Sequence, residues 1–300
     1  MTERDRRRTG TYHDDWFAGR YRRYWEPVLA RPAIELVDHL ERDGTAPARG
    51  TRILDIGAGT GLLTLELARR WPGTTIVAAD PARAMLDIVH ERAHAAGIDD
   101  GRLELVEGGA EALPIPDATI GLAVSSFVFQ LVSDRPTALR EAFRVLERGA
   151  RFGYVTWLAG DRSFAPGLAI DTALGAETDS DWTGGAARVG DVKSVDLAEA
   201  ELRDAGFVDV RVLVGQLDEP WTIDRYLDYV EGCRNTVAFA GLDAEQTADL
   251  RARLRRTLEA VPADAFVQRA AVIHALGRRP GLIPTLPQVT PEATDQRRSP

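Results

Sequence analysis

From about residue 51 onward, short apolar runs alternate with segments of helical period. Arg52-Ile53-Leu54-Asp55-Ile56 predicts a buried strand, and glycines follow it before Leu62, Leu63, Leu65 and Leu67 open a helix. Thr75 to Ala79 predicts a second strand that ends at Asp80-Pro81, and Ala82 to Ala96 a second helix. Leu103 to Val106 and Ile120 to Ser125 predict two more strands. Asp134 is placed to cap a helix running to Leu146, with Leu139, Ala142, Phe143 and Leu146 on one face. Arg151 to Trp157 predicts the fifth strand, Ser194 to Ala205 a helix stopped by Gly206, and Phe207 to Val214 a sixth strand. Two helices, about Ile223 to Phe239 and Ala244 to Val261, precede a last apolar run from Phe266 to Leu276. Strands separated by helices imply right-handed crossovers and a mostly parallel, doubly wound α/β sheet with both faces covered. Residues 158–193 are rich in Gly, Asp, Ser and Thr and predict a long loop. Residues 278–300 hold five of the sixteen prolines without periodicity, which predicts a disordered tail.

Composition changes this picture in one direction. Of 37 basic side chains, 36 are Arg and one, Lys193, is Lys, while Asn235 is the only Asn. That is the bias of a GC-rich genome, so arginine richness is discounted as a sign of phosphate or nucleic-acid binding. A net charge of −9 repels a polyanion, and no nucleic-acid partner is expected. Cys233 is the only cysteine, which excludes an internal disulfide and a CxxC metal site. MTERDRRRTG carries charge with no apolar segment behind it, and no apolar run is long enough to span a bilayer. The expectation is a soluble cytoplasmic protein without a membrane partner.

The segment richest in chemistry is Asp55-Ile56-Gly57-Ala58-Gly59-Thr60-Gly61, between the first strand and its helix. Glycines there let the backbone turn sharply and approach a ligand beside the positive end of a helix. The spacing is GxGxG, with Leu62 where a dinucleotide fingerprint would place its third glycine. Asp80 closes the second strand 19 residues after Gly61, where a carboxylate can accept both hydroxyls of a ribose.

These residues resemble the class I S-adenosylmethionine-dependent methyltransferases, in particular the small-molecule branch of ubiquinone and menaquinone biosynthesis. The resemblance runs from about Tyr12 to Leu146, and more loosely to Leu276. ILDIGAGTG is similar to the family's first motif, AADPARAML to the segment after it, and VEGGAEALPIPDATIGLAVSSF to its third and fourth strands. The resemblance implies a Rossmann-like sheet of seven strands whose last is antiparallel, with Phe266 to Leu276 in that place. It implies S-adenosyl-L-methionine as cofactor, held by Asp55, Gly57, Gly59 and Gly61, with Asp80 at the ribose and Met85 against adenine. Ala110 and Glu111 stand near the adenine amino group, the backbone at Ser126 near the methionine moiety, and Tyr21 on an N-terminal helix over the cofactor. The chain departs from the family at Gly109 and Gly121, where Asp is common, and at Arg148 and Ala150 beside the fifth strand. Gln130 stands where His is common.

Methyl transfer from a sulfonium needs no triad, because its leaving group is a neutral thioether. The protein must hold acceptor and methyl in line at ~3–3.5 Å and exclude water. The expected reaction is methylation of O, N or C on a small organic acceptor in specialised metabolism. A fold relative that binds the cofactor without methyl transfer, for assembly or rearrangement chemistry, is the alternative. Ser125-Ser126-Phe127-Val128 stands where base-methylating relatives carry Asn/Asp-Pro-Pro-aromatic. Gln130 and Trp157 are candidates for the acceptor pocket, with Tyr226, Tyr229 and Arg234 on a helical lid; ordinary packing is the alternative for the aromatic residues. Tyr21 likewise either contacts the cofactor or packs. His13 is either a base at the pocket mouth or an exposed arm residue, and His90 with His94 has metal-compatible spacing but no third ligand, so no metal is expected. The expected organisation is a helical arm or cover (1–50), the main domain (51–277) with a lid insertion at about 220–262, and the tail (278–300). The oligomeric state is left open, with a homodimer as one option.

Overall fold

Seven strands form where the sequence places them: β1 (Arg52–Ile56), β2 (Thr75–Asp80), β3 (Leu103–Glu107), β4 (Ile120–Ser126), β5 (Leu146–Trp157), β6 (Val208–Pro220) and β7 (Val267–Arg278). The computed structural model describes residues 15–160, 162–175 and 190–281. The strands join in one sheet in the order β3-β2-β1-β4-β5-β7-β6. β1 to β5 pair in parallel, whereas β7 runs antiparallel to both β5 and β6. This is the Rossmann-like sheet with an antiparallel last strand. Strand order reverses between β1 and β4, and a crevice forms at the carboxyl ends there.

The helices are α1 (Asp15–Arg20), α2 (Glu26–Arg42), α3 (Leu62–Arg70), α4 (Arg83–Ala95), α5 (Arg135–Val145), α6 (Ala165–Leu174), α7 (Val195–Asp204), α8 (Ile223–Tyr229), α9 (Thr236–Phe239) and α10 (Ala244–Glu259). One π-helical turn, Tyr21–Trp25, joins α1 to α2, and a second, Val230–Arg234, follows α8. Alternation along the strands sorts the core into two layers. Ile53, Ile76, Leu122, Val124 and Val155 face α2, α3 and the lid helices, and Leu54, Ile56, Val77, Ala123 and Phe152 face α5 and α7. The caps are local. Asp134 accepts from Thr137 N at 3.0 Å, Ser194 from Leu197 N at 3.1 Å, and Asp243 forms a reciprocal box with Gln246. Each such cap is worth about 1 kcal/mol.

Three elements differ from expectation. β5 begins at Leu146 rather than Arg151, because Gly149 at φ +83° lets the chain continue in the sheet. β6 runs on to Pro220 rather than stopping at Val214, since β7 supplies partners as far as Val267. Within the expected loop 158–193 lies α6, which starts with a proline in its first turn and buries Ile170 and Asp171. The ends of that segment are closed by a parallel bridge between Leu158 and Val192. Residues 176–189 of the expected loop and 282–300 of the expected tail lie outside the described residues. Among the described residues no helix is long and apolar enough to cross a membrane.

The layer of α2 on β7 contains a polar contact that fixes a protonation state. His274 on β7 is buried and its Nε2 donates to the carbonyl of Pro32 at 2.9 Å, so Nε2 carries the proton. Its Nδ1 has no hydrogen-bond partner among the described residues, and His39 meets it edge-on at 5.0 Å. Burial lowers the His274 pKa, with the Pro32 contact opposing and His39 assisting. The native ring is therefore neutral where the unfolded one takes up a proton near pH 6.5. Stability is present above that pH and is lost as pH falls through it, by up to about 1.4 kcal/mol per pH unit. Urea midpoints should fall further between pH 7.5 and 5.5 in the wild type than in His274→Gln. Equal falls would contradict this account.

Candidate functional site

The chain leaves β1 through a turn in which Gly57, Gly59 and Gly61 have φ of +70°, +53° and +87°. Space as well as conformation requires glycine. A methyl group on Gly57 would overlap the side chain of Val128, and one on Gly61 would lie 3.1 Å from Val89 Cγ2. On Gly59 it would meet only Tyr21 Cε1, at 3.7 Å. The turn is hung on β2: Gly57 N and Ala58 N donate to Ala79 O at 2.7 and 3.0 Å. Gly59 N donates to Asp80 Oδ2 at 2.8 Å, and Ala82 N to Asp80 Oδ1 at 2.9 Å. Asp80 thus fixes both the turn and the start of α4.

Asp55 lies beneath the turn and accepts from Thr64 Oγ1 at 2.6 Å. Burial pushes its carboxyl up to about 7, against the Thr64 hydrogen bond and with help from the Asp80 charge. Ser125 Oγ donates to Ile56 O at 2.8 Å and ties β4 to β1, which sets Ser126 at the rim. Tyr21, Leu29, Asp55, Gly57, Thr60 and Ser126 are among the residues lining a cleft of about 20 Å³. A space of that size holds about one water in this arrangement.

The N-terminal segment is latched to the lid. Arg20 donates to the carbonyl of Gly232, and any side chain on Gly232 would overlap the Tyr24 ring. Tyr24 and Trp25 lie 6.1 and 5.9 Å from Tyr229, centroid to centroid. The two π-helical turns thus meet, one from the N-terminal cover and one from the lid. Such turns are rare and recur at functional sites.

Of the residues expected at the site, Tyr21, Asp55, the three glycines, Asp80 and Ser126 converge on this turn. Met85 is buried on α4 against Ala18 and Tyr21. Ala110 is buried in the opposite layer, and Glu111 Oε1 accepts from Ser133 N, Ser133 Oγ and Asp134 N at 2.8, 2.8 and 3.1 Å. Gln130 is tied on both sides, donating to Phe127 O at 2.6 Å and accepting from Thr156 Oγ1 at 2.5 Å. Trp157 packs on Phe127 at 4.5 Å between centroids. Tyr226, Tyr229 and Arg234 lie in α8 and the π-helical turn after it rather than along the cleft. Tyr226 is fully buried with burial holding its phenol protonated, and Arg234 pairs with Asp171 on α6 at 2.7 Å. His90 and His94 are exposed, and no metal-binding group forms among the described residues. His13 lies outside the described residues. Burial raises the Cys233 pKa, so this thiol stays protonated.

The departures from the family pattern have different reasons. A methyl on Gly121 would lie 2.5 Å from Thr51 Cγ2, so Thr51 occupies the space a larger residue would need. At Gly109 nothing but Glu111 Oε2, at 4.0 Å, stands in the way, and packing does not account for this glycine. Arg148 is exposed. Sequence reasoning missed Phe127, a bulky residue at φ +54° directly after Ser126. Left-handed backbone at such a residue is strained, and strain of this kind clusters at functional sites. No sequence signal marks it.

Comparison with known proteins agrees with this geometry. The profile of a family described as a methyltransferase domain matches residues 53–149. Demethylmenaquinone methyltransferase of Thermus thermophilus is 41% identical over 100 residues, which are 33% of this chain and 44% of that protein. The match therefore spans less than half the length of that curated relative. Phosphoethanolamine N-methyltransferase 2 of Haemonchus contortus, solved with phosphomonomethylethanolamine and S-adenosylhomocysteine, has TM-score 0.53 at 15% identity over 89% of this chain and 57% of its own. The 4+2 cyclase SpnF has TM-score 0.50 at 20% identity, over 84% of this chain and 81% of its own. Both likenesses concern the fold. Residues 53–149 match the methyltransferase-domain family, and the sheet around them has the fold of these solved structures.

Proposed function

We propose that the chain transfers a methyl group from S-adenosylmethionine to O, N or C of a small organic acceptor. The observation that carries this reading is the left-handed glycine turn at the reversal of strand order, with Asp55 beneath it and Asp80 beside it. The residues fit that cofactor in kind. The glycines offer bare backbone at the positive end of α3, Asp80 offers a carboxylate to ribose hydroxyls, and Asp55 can meet a cation. Met85 and Ala110, with Glu111 nearby, suit adenine, and Ser126 offers backbone to the methionine moiety. Bound there, the cofactor supplies an electrophilic methyl group and departs as a neutral thioether.

The chain's own residues then need to orient the acceptor and exclude water, a contribution of ~7–11 kcal/mol where geometry is good. Tyr21 covers the turn, and Trp157 with Phe127 forms an aromatic wall at the end of β5. Gln130 fixes the loop after β4, while Tyr226, Tyr229 and Arg234 act by giving the lid its shape. A planar acceptor, in keeping with the quinone named for the Thermus relative, suits the Phe127–Trp157 wall, while the rings around Tyr226 and Tyr229 pack inward on one another. The net charge of −9 argues against a nucleic-acid acceptor.

Calorimetric titration should show that S-adenosylmethionine and S-adenosylhomocysteine both bind. Turnover of a panel of phenols, amines and quinols should then give a product heavier by one methylene. Absence of binding by either ligand at millimolar concentration overturns the reading, and an isomeric product points to rearrangement instead.

Asp55 adds a pH dependence. With its carboxyl raised to about 7, it is mostly protonated at pH 6 and ionised at pH 8. A cationic ligand favours the ionised form, so S-adenosylmethionine should bind about tenfold more tightly at pH 8 than at pH 6. Asp55→Asn should weaken binding and flatten that profile. A steep profile retained in the variant would assign the titration to another group.

A further inference from the structure

The carboxylate of Glu26 lies where three elements meet. Glu26 opens α2, Thr60 sits inside the glycine turn, and Arg92 reaches over from α4. Arg92 Nη1 donates to Glu26 Oε2 at 2.7 Å and to the Thr60 carbonyl at 2.6 Å, and Nη2 donates to Glu26 Oε1 at 2.9 Å. The Thr60 hydroxyl donates to Glu26 Oε2 as well. Glu26 and Thr60 are buried, and the Arg92 side chain is 17% exposed. A charge-assisted, two-pronged pair of this kind is strong and geometrically specific.

Its placement gives it a task. Thr60 stands between Gly59 and Gly61, both at positive φ, in backbone that has more freedom to lose than any other. Both polar handles of Thr60, hydroxyl and carbonyl, are gripped by the Glu26–Arg92 pair. Directly before Glu26 comes the π-helical turn that carries Tyr21, Tyr24 and Trp25. The same carboxylate therefore sets the turn and the point from which the cover projects over it.

We propose that Glu26 is a positioning residue for cofactor binding, acting through Thr60 and Arg92 to preset the glycine turn and register the N-terminal cover above it. This rests on the reading of the glycine turn as the S-adenosylmethionine site. Without the Glu26 charge, Arg92 loses its counter-ion and one of its two acceptors, and a single neutral amide oxygen is left to hold both Arg92 and the Thr60 hydroxyl. The turn then samples other conformations, and ligand binding must supply the ordering that the free protein had.

The test compares wild type, Glu26→Gln, Thr60→Val, the double variant and Ile120→Val. The last trims a buried side chain at the far end of β4 and serves as a control for stability alone. Affinity for S-adenosylhomocysteine, melting temperature and amide exchange at Gly59, Thr60 and Gly61 in the free protein are measured for each. Glu26→Gln should bind roughly tenfold more weakly, as expected for losing a charged hydrogen-bond acceptor, with faster exchange at those three amides. Thr60→Val should lose part of that affinity, and the double variant less than the product of the two losses. Ile120→Val should melt lower with unchanged affinity. Wild-type affinity and exchange in Glu26→Gln, with only a lower melting temperature, would overturn the proposal, as would fully independent losses. Failure of the wild type itself to bind would instead overturn the reading of the turn, and this proposal with it.

Discussion

A chain that leaves a parallel strand and enters a helix within five residues must reverse sharply, and here Gly57, Gly59 and Gly61 do this with backbone at positive φ. The missing side chains matter as much as the dihedrals. Val128 from the loop after β4 fills the space beside Gly57, Val89 of α4 fills that beside Gly61, and Tyr21 of the cover lies over Gly59. Three separate parts of the chain can therefore converge on one short turn. The same backbone aims the Gly59 amide at Asp80, so the carboxyl ends of β1 and β2 are locked to each other.

Electrostatics around that turn follow from burial. Asp55 and Asp80 both lie at the sheet's carboxyl edge, and burial, with the Asp80 charge assisting, raises the Asp55 pKa. On the far side of the turn Glu26 and Arg92 join in a two-pronged hydrogen-bonded pair. The arginine-rich composition serves this kind of work elsewhere too. Arg135 grips Glu201 with two nitrogens while donating to the Gly190 carbonyl, and Arg144 joins Glu141 and Asp117 to the carbonyls of Leu113 and Ile115. These guanidinium groups act as internal ties, each satisfying several acceptors at once through a planar, rigid fork of donors that a lysine lacks.

The parts legible in the sequence were those with strong local causes. The apolar runs of the strands, the Asp134 cap and the glycine-rich turn after β1 all arise from short-range physics and formed as expected. Helix α6 was hidden because its Ala-Pro-Gly start lies in a segment whose average composition reads as loop, and its burial depends on distant lid residues. The full reach of β6 depends on β7, some fifty residues away. Glu26 was invisible for the same reason: nothing local links the first turn of α2 to Thr60, and only the fold brings Arg92 between them. Tyr226 and Arg234 were identified as chemically notable residues of the lid, yet the side chains turn inward to a buried pair with Asp171 and an aromatic cluster. Helical spacing cannot distinguish such an inward face from one that lines a cleft.

The central claim is that bare backbone at the glycine turn holds the cofactor under the cover. Gly59→Ala tests it most directly, because the added methyl meets only the edge of Tyr21 and its left-handed conformation costs ~1–3 kcal/mol, leaving a folded protein. Calorimetric titration of this variant with S-adenosylhomocysteine, beside its melting curve, should show a folded protein that binds at least ~10-fold more weakly than wild type. A folded Gly59→Ala protein with wild-type affinity would contradict the account.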